Sequence, residues 1–368
     1  MALNQVGLER LNTATTKKIG TNKNLIINGA MQVAQRGSAS STTNGLATVD
    51  RFKKIGSGLG NTFSQEQITL SSSDTPYSSG FRKAFRVSQN QAGSANAAGA
   101  IDFSHYIEAQ NLANSGWNYT SSSSKITLQF WLRVSTNQTF YGVLYTPDGT
   151  VQSYPFSFTA SGNNAWTKIT HTIPGNSNIT INNDNGTGLI LYLIPFYGAN
   201  YTDNSKSVNA WSAHSTNFCP DMASTWLTAG ASTFDVTGIQ LEVGSVATDF
   251  EHRSFADEFL DCCRYYFFTN AQHFFIARGN NTDGLVGFVE TQVPLRASPS
   301  ISMTAGLRHW GIDSNSSSTT LPTIPSFRAN QKGIRVNQTG HSGVNDDCVM
   351  AVQTDGSDGQ GLAFDAEL

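Results

Sequence analysis

A chain of 368 residues can bury one large hydrophobic core or two moderate ones. Its net charge of −3 arises from 23 basic and 26 acidic side chains with no Lys/Arg cluster, which argues against nucleic acid as a partner. Charged residues make up 13% of the chain against a usual level of about 25%, so hydroxyl and amide groups must cover the surface. No run of about 18 apolar residues is present, and membrane insertion is not expected.

Residues 1–22 are polar, with Val6, Leu8 and Leu11 placed to line one side of a brief helix. They are too few to form a core, so this segment reads as an arm that needs a partner. It shows no basic segment followed by an apolar stretch, so no secretory signal is read and synthesis in a cytoplasm is expected. The pairs Lys17-Lys18 and Lys53-Lys54 read as isolated, solvated charge.

Next comes NLIINGAMQVAQRG, residues 24–37, followed by Val49-Asp50-Arg51-Phe52. Apolar residues on either side of Asn28-Gly29 suggest a first strand broken by a turn or bulge, with Leu25, Ile27, Met31 and Val33 inward. Arg36 and the Asp50-Arg51 pair are expected to anchor strand ends at the base of the domain. In KITLQFWLRV the residues Ile126, Leu128, Phe130, Leu132 and Val134 recur at every second position, which puts them on one sheet face. TFYGVLYT, YPFSFTA, WTKITHTI, GLILYLIPFY and TFDVTGIQLEV follow, separated by turn clusters such as TPDG and PGNSN. Many strands with turn chemistry between them predict an antiparallel β-sandwich.

One stretch departs from this period. RSFADEFLDCCRYYF spaces Phe255, Phe259, Cys262, Cys263 and Tyr266 by threes and fours, with Ser254 three residues before Asp257 as an approximate capping box. It predicts one connector helix. Strand patterns then resume to the end of the chain. The expected architecture is therefore all-β: an arm (1–22), a β-sandwich (23–250), a connector helix (251–267) and a second, smaller β-sandwich (268–368).

Few residues form a chemical constellation. Gly340-His341-Ser342-Gly343-Val344 begins like a nucleophile elbow but ends in Val and lacks a strand–turn–helix context. Paired carboxylates for glycoside cleavage could be drawn from Asp102, Glu108, Asp148, Asp346 or Asp347, although acids in turns commonly serve turn geometry. His105 with Glu108, and His309 with Asp313, lack a third metal ligand. NNDNGTG and DGSDGQG could hold calcium but are also ordinary hairpin loops. Cys219, Cys262, Cys263 and Cys348 show no C-x-x-C spacing and read as reduced, buried thiols. No catalytic residue, metal or cofactor is assigned.

Aromatic residues in polar loops are more informative, because a sugar ring stacks on a flat side chain flanked by hydroxyl and amide groups. Trp117 and Tyr119 lie in NSGWNYTSSSS; Tyr197, Tyr201 and Trp211 lie in FYGANYTDNSKSVNAW; His309 and Trp310 lie in GLRHWGIDSN. These seven are the glycan-binding candidates, although a large sandwich also needs such rings as core filler.

Four stretches together, NLIINGAMQVAQRG with VDRF, FDVTGIQLEVGSVATDFEHRSFADEFLDCCRYY, VPLRASPSI and FDAEL, resemble the tail-fibre and receptor-binding proteins of tailed bacteriophages. The likeness is to those of marine bacteria in particular, of the cyanophage or pelagiphage type. It spans residue 24 to the end of the chain. The resemblance implies a carbohydrate-binding-like jelly roll for the first domain, a distal C-terminal domain and a homotrimer. It also implies docking of the arm, through Val6, Leu8 and Leu11, onto a phage tail hub or adaptor protein. The implied function is a non-enzymatic virion protein, a tail fibre or receptor-binding protein, that adsorbs to host cell-surface polysaccharide or lipopolysaccharide. The short arm, with no long shaft before NLIING, leaves open a head-decoration or head-fibre protein. A polysaccharide depolymerase is the remaining alternative.

Overall fold

The computed structural model describes residues 23–269, 274–280, 284–303, 306–310, 315–318, 333–341, 349–355 and 361–368. The arm residues Val6, Leu8 and Leu11, together with Ser342, Asp346, Asp347 and Cys348, lie outside the described residues. Eleven strands build the large sandwich: β1 (Phe52–Ser57), β2 (Phe63–Thr69), β3 (Lys83–Gln89), β4 (Ala100–Glu108), β5 (Lys125–Val134), β6 (Thr139–Thr146), β7 (Gln152–Thr159), β8 (Trp166–Pro174), β9 (Thr187–Tyr197), β10 (Ser212–Ala213) and β11 (Ser232–Val243). They form a six-stranded sheet in the order β1-β4-β9-β6-β7-β10 and a five-stranded sheet in the order β2-β3-β11-β5-β8, with antiparallel pairing throughout. The predicted fold class is the one observed.

Alternation explains how so polar a chain folds. Ile126, Leu128, Phe130, Leu132 and Val134 of β5 all reach zero exposure, and each such burial contributes about 1.5–3 kcal/mol. Across the sandwich the two sheets meet through rings: Phe130 of β5 packs edge-on to Phe158 of β7 at 5.3 Å, and Phe103 of β4 to Phe234 of β11 at 5.7 Å.

The opening stretch is corrected by the structure. Residues 24–51 contain no regular strand; Asn28, Met31 and Arg51 have φ values of 61°, 59° and 72°, and a left-handed residue interrupts a ladder. The segment lies beside β11 where β3 no longer pairs with it: Leu25 N–H donates to the Leu241 carbonyl at 2.9 Å, and the Asn24 side chain bridges Ile239 and Leu241 at 3.0 Å each. Ile26, Met31 and Val33 are buried, whereas Leu25 and Ile27 are half-buried. A Cβ on Gly29 would sit 2.1 Å from the Ile239 carbonyl oxygen, so only glycine permits this approach. The Lys53-Lys54 pair also divides. Lys54 is buried, with Nζ donating to the Thr42 and Phe63 carbonyls at 3.0 and 2.9 Å, and burial pulls its pKa down to about 8.

The helix Phe255–Cys263 forms as the capping box predicts: Ser254 Oγ accepts from Asp257 N–H at 3.1 Å and donates to its carboxylate at 2.7 Å. Beyond it stand β12 (Tyr266–Thr269), β13 (Phe274–Asn280), β14 (Gly284–Glu290), β15 (Ser300–Met303), β16 (Gly306–Trp310), β17 (Asn315–Ser318), β18 (Gly333–Gln338), β19 (Val349–Asp355) and β20 (Leu362–Asp365). A three-stranded sheet, β12-β20-β15, shares a core with a six-stranded sheet, β17-β16-β19-β13-β14-β18. Phe267, Phe275, Leu285, Val289 and Phe364 fill it. Cys219, Cys262 and Cys263 are buried free thiols.

Where the two β units meet, the motif residues converge. Arg36 lies over the Tyr266 ring at 3.5 Å and pairs with Asp365 at 3.0 Å; Arg51 lies over Tyr265 at 3.5 Å, pairs with Glu367 and donates to the Tyr106 carbonyl at 2.6 Å. Arg264 grips Glu108 with two bonds of 2.6 and 3.0 Å, and the Tyr265 hydroxyl donates to the same carboxylate. Arg296 donates to the carbonyls of Asn185, Ala366 and Glu367. Asp50, held by Gln35 at 2.6 Å, is so fully buried that its pKa is pushed up to about 6. Arg36, Asp50 and Arg51 thus anchor the base of the sandwich, as the sequence suggests, and they do so against the second β unit.

Candidate functional site

The six-stranded sheet sends alternate residues into the core and onto its outer face. On β4, Ile101, Phe103, His105 and Ile107 point inward, which leaves Asp102, Ser104 and Tyr106 on the outer side. Pairing registers extend this into a grid. Tyr106 of β4 and Tyr145 of β6 both flank Ile190 of β9; one row along, Lys53 of β1 pairs with Ser104, which pairs with Tyr192, which pairs with Val143. Across these four strands, at about 4.8 Å per step, the longer row spans about 14 Å.

Aromatic contacts make the strip continuous. Lys53 Nζ rests 3.8 Å above the Tyr106 ring. Tyr145 meets Tyr192 at 6.5 Å and His214 at 4.8 Å, both edge-on; His214 leads to Phe218 at 5.0 Å, and Phe218 to Tyr197 at 5.8 Å. Tyr106, Tyr145, Tyr192 and His214 are all partly exposed. Ser104 Oγ and Asp102 Oδ1 lie beneath them, buried and with no hydrogen-bond partner among the described residues. The other Asp102 oxygen accepts from the Tyr197 hydroxyl at 2.9 Å. Burial pushes the Asp102 pKa up to about 7, opposed by that bond and by Lys53; burial likewise raises Tyr192 and lowers His214. Flat rings, an amine, an imidazole and nearby hydroxyls can hold a polyhydroxylated ring by stacking and hydrogen bonds.

Of the seven sequence candidates, Tyr197 and Tyr201 belong to this face, with ring centroids 5.4 Å apart; Tyr197 is buried as its support and Tyr201 is partly exposed. The others are elsewhere. Trp117 is corrected from an exposed platform to a core residue, 3% exposed, because the polar loop around it folds inward against the sandwich. Tyr119 packs beside it at 6.2 Å. Trp211 is tied down by Nε1 donating to the Pro174 carbonyl at 2.7 Å and by Tyr154 at 5.2 Å. His309 and Trp310 lie on β16, and their side chains lie outside the described set.

No protein-family model matches this sequence, and no curated protein matches it. Among solved structures, the chain is similar to the enzymatically active domain of tailspike protein 4 of bacteriophage CBA120, at 9% identity over 60% of this chain, with a TM-score of 0.32. It spans only 22% of that tailspike chain. A putative sugar binding protein from Bacteroides thetaiotaomicron is similar at 8% identity over 60% of this chain and 100% of that one, also with a TM-score of 0.32. The N-terminal tandem CBM22 domain from Paenibacillus barcinonensis is similar at 9% identity over 85% and 91% of the two chains, with a TM-score of 0.27. Scores this low assign no residue and no activity to the present chain.

Among the described residues, the acids considered for glycoside cleavage are each engaged elsewhere or set apart, and Asp346 and Asp347 lie outside that set. Asp102 and Glu108 stand six residues apart on β4, about 20 Å along the strand, and Glu108 is held by Arg264 and Tyr265. Asp148 accepts from the Asn182 backbone and side chain at 2.8 and 2.9 Å, and Asp184 of NNDNGTG accepts from Gly186 N–H at 2.9 Å. Among the described residues no group of three His, Cys, Asp or Glu side chains could hold a metal. His105 packs on Phe52 in the core at 4.8 Å, where burial lowers its pKa.

Tyr106, Tyr145 and Tyr192 are the residues that loop-based reasoning misses. A signal for them does exist in TFYGVLYT, where Tyr141, Val143 and Tyr145 alternate with Phe140, Gly142 and Leu144. Alternation separates two faces, but which one is exposed depends on the neighbouring strands.

Proposed function

We propose that the chain is a glycan-binding virion protein that adsorbs to host cell-surface polysaccharide or lipopolysaccharide through the outer face of its six-stranded sheet. The observation that carries this reading is the register that gathers Tyr106, Tyr145 and Tyr192 on one face of three adjacent strands, with Lys53 above the Tyr106 ring. Partly exposed tyrosines aligned across three adjacent strands over unpaired polar groups suit a sugar chain better than a protein core. The sequence resemblance to phage receptor-binding proteins supports the virion setting, a homotrimer and docking of residues 1–22 on a tail hub.

Calorimetric titration with purified host surface polysaccharide tests the site. Tyr145→Ala and Tyr192→Ala each weaken binding by tenfold or more, about 1.4 kcal/mol, while circular dichroism stays unchanged. Wild-type affinity in both variants, or no binding by the native chain to any host surface extract, overturns the reading. Removal of residues 1–22 is expected to leave glycan affinity intact and to abolish incorporation into particles, scored by immunoblot of purified virions; undiminished incorporation disproves the docking role.

A further inference from the structure

On the opposite side of the sandwich, the five-stranded sheet carries a cavity of about 270 Å³ that the tyrosine face does not explain. Its origin is a break in β11. The pairing with β5 shifts between Thr237 and Gln240, and Gly238 takes a φ of 64°; a Cβ there would stand 2.6 Å from the Phe81 ring. The bulge lets Phe81 lean over the sheet, where it meets Phe250 at 4.8 Å and His252 at 5.0 Å; these last two lie 4.9 Å apart. His252 is fixed by Nε2 donating to the Ser79 carbonyl at 2.8 Å. Three rings make one wall.

β5 and β8 supply the rest of the cavity. Trp131 is partly exposed and pairs directly with Lys168, whose side chain is exposed. Gln129, two residues back on the same face, is 1% exposed; its Nε2 donates to the Thr248 carbonyl at 2.6 Å. That bond fixes the amide's orientation and leaves Oε1 buried with no partner among the described residues. Gln129 lines the cavity. A buried amide oxygen without a donor costs about 1–3 kcal/mol, and a ligand hydroxyl would relieve it.

We infer that this cavity is a second ligand site, for a single neutral pyranose ring that stacks on Trp131 and donates a hydroxyl to Gln129 Oε1. The volume lies just below the range of about 300–1,000 Å³ typical of drug-sized ligands, which suits one ring better than a chain. A purely apolar occupant would leave the Gln129 oxygen unpaired, and an anion would face it repulsively; a ring with one apolar face and a hydroxylated edge satisfies both walls. The ligand class rests on the glycan reading given above. The place does not, because the two faces are separated by the whole sandwich.

Titration of the full chain with the methyl glycosides of glucose, galactose, mannose and N-acetylglucosamine, followed by the indole N–H resonances, tests the inference. Trp131→Phe assigns the relevant signal. At least one glycoside is expected to shift it; Gln129→Met, with an unchanged circular dichroism spectrum as its folding control, weakens that response by about fivefold or more, and Tyr145→Ala leaves it unchanged. If no glycoside moves the Trp131 signal, or if Gln129→Met responds as the native chain does, the second site is refuted. Either result leaves the polysaccharide titration of the tyrosine face to stand or fall by itself.

Discussion

Replacing Arg51 with Met lowers the stability of the folded chain by about 3–5 kcal/mol, the usual cost of removing one partner from a buried ion pair. Arg51 is buried between the two β units, where it pairs with Glu367, donates to the Tyr106 carbonyl and covers the Tyr265 ring. Methionine fills the space but leaves the Glu367 carboxylate, itself almost fully buried, with Arg36 at 3.5 Å as its remaining ion-pair partner. Urea unfolding measures the loss, and limited proteolysis reports whether the second β unit becomes the first part to open. The double variant with Glu367→Gln recovers part of the loss, because the stranded charge is gone. A change below about 1 kcal/mol for Arg51→Met contradicts this account.

Asp102→Asn changes how stability depends on pH. The Asp102 carboxyl has an ordinary pKa of 3.8 and is pushed up to about 7 in the fold by burial. Between these values the folded chain holds a proton that the unfolded chain has lost. The stabilisation is therefore complete below pH 3.8 and is withdrawn as the pH rises through about 7. At 1.36 kcal/mol per pKa unit, the full swing is about 3–5 kcal/mol. Asparagine keeps the acceptor for the Tyr197 hydroxyl and does not titrate, so the variant is more stable than the native chain at pH 8 and loses that advantage in acid. Urea midpoints at pH 4 and pH 8 decide it; parallel curves for the two proteins are incompatible with a buried, protonated Asp102. The raised pKa of Asp50 acts in the same direction in both proteins, and so cancels in the comparison.

Strand and helix signals are legible in this sequence wherever a single local period controls them. Ile126 to Val134 alternate, and all are buried; Ser254 and Asp257 mark a helix start, and the helix begins there. NLIING misleads because its partner is β11, more than 200 residues away, and because Asn24 supplies side-chain hydrogen bonds where a strand would supply backbone ones. The same non-locality hides the candidate site. Tyr106, Tyr145 and Tyr192 become neighbours only through the order β4-β9-β6, which no short-range pattern encodes. Trp117 shows the converse, since a polar loop around an aromatic is compatible with a ring facing either way.

The seam that joins the β units also bears on biosynthesis. Arg51 and Glu367 are separated by 316 residues, so at about 5–20 residues per second the arginine leaves the ribosome between about 15 s and a minute before its counter-ion exists. Through that interval the base of the nascent sandwich holds a cation without this counter-ion, so the seam between the β units is among the last contacts that synthesis allows to form.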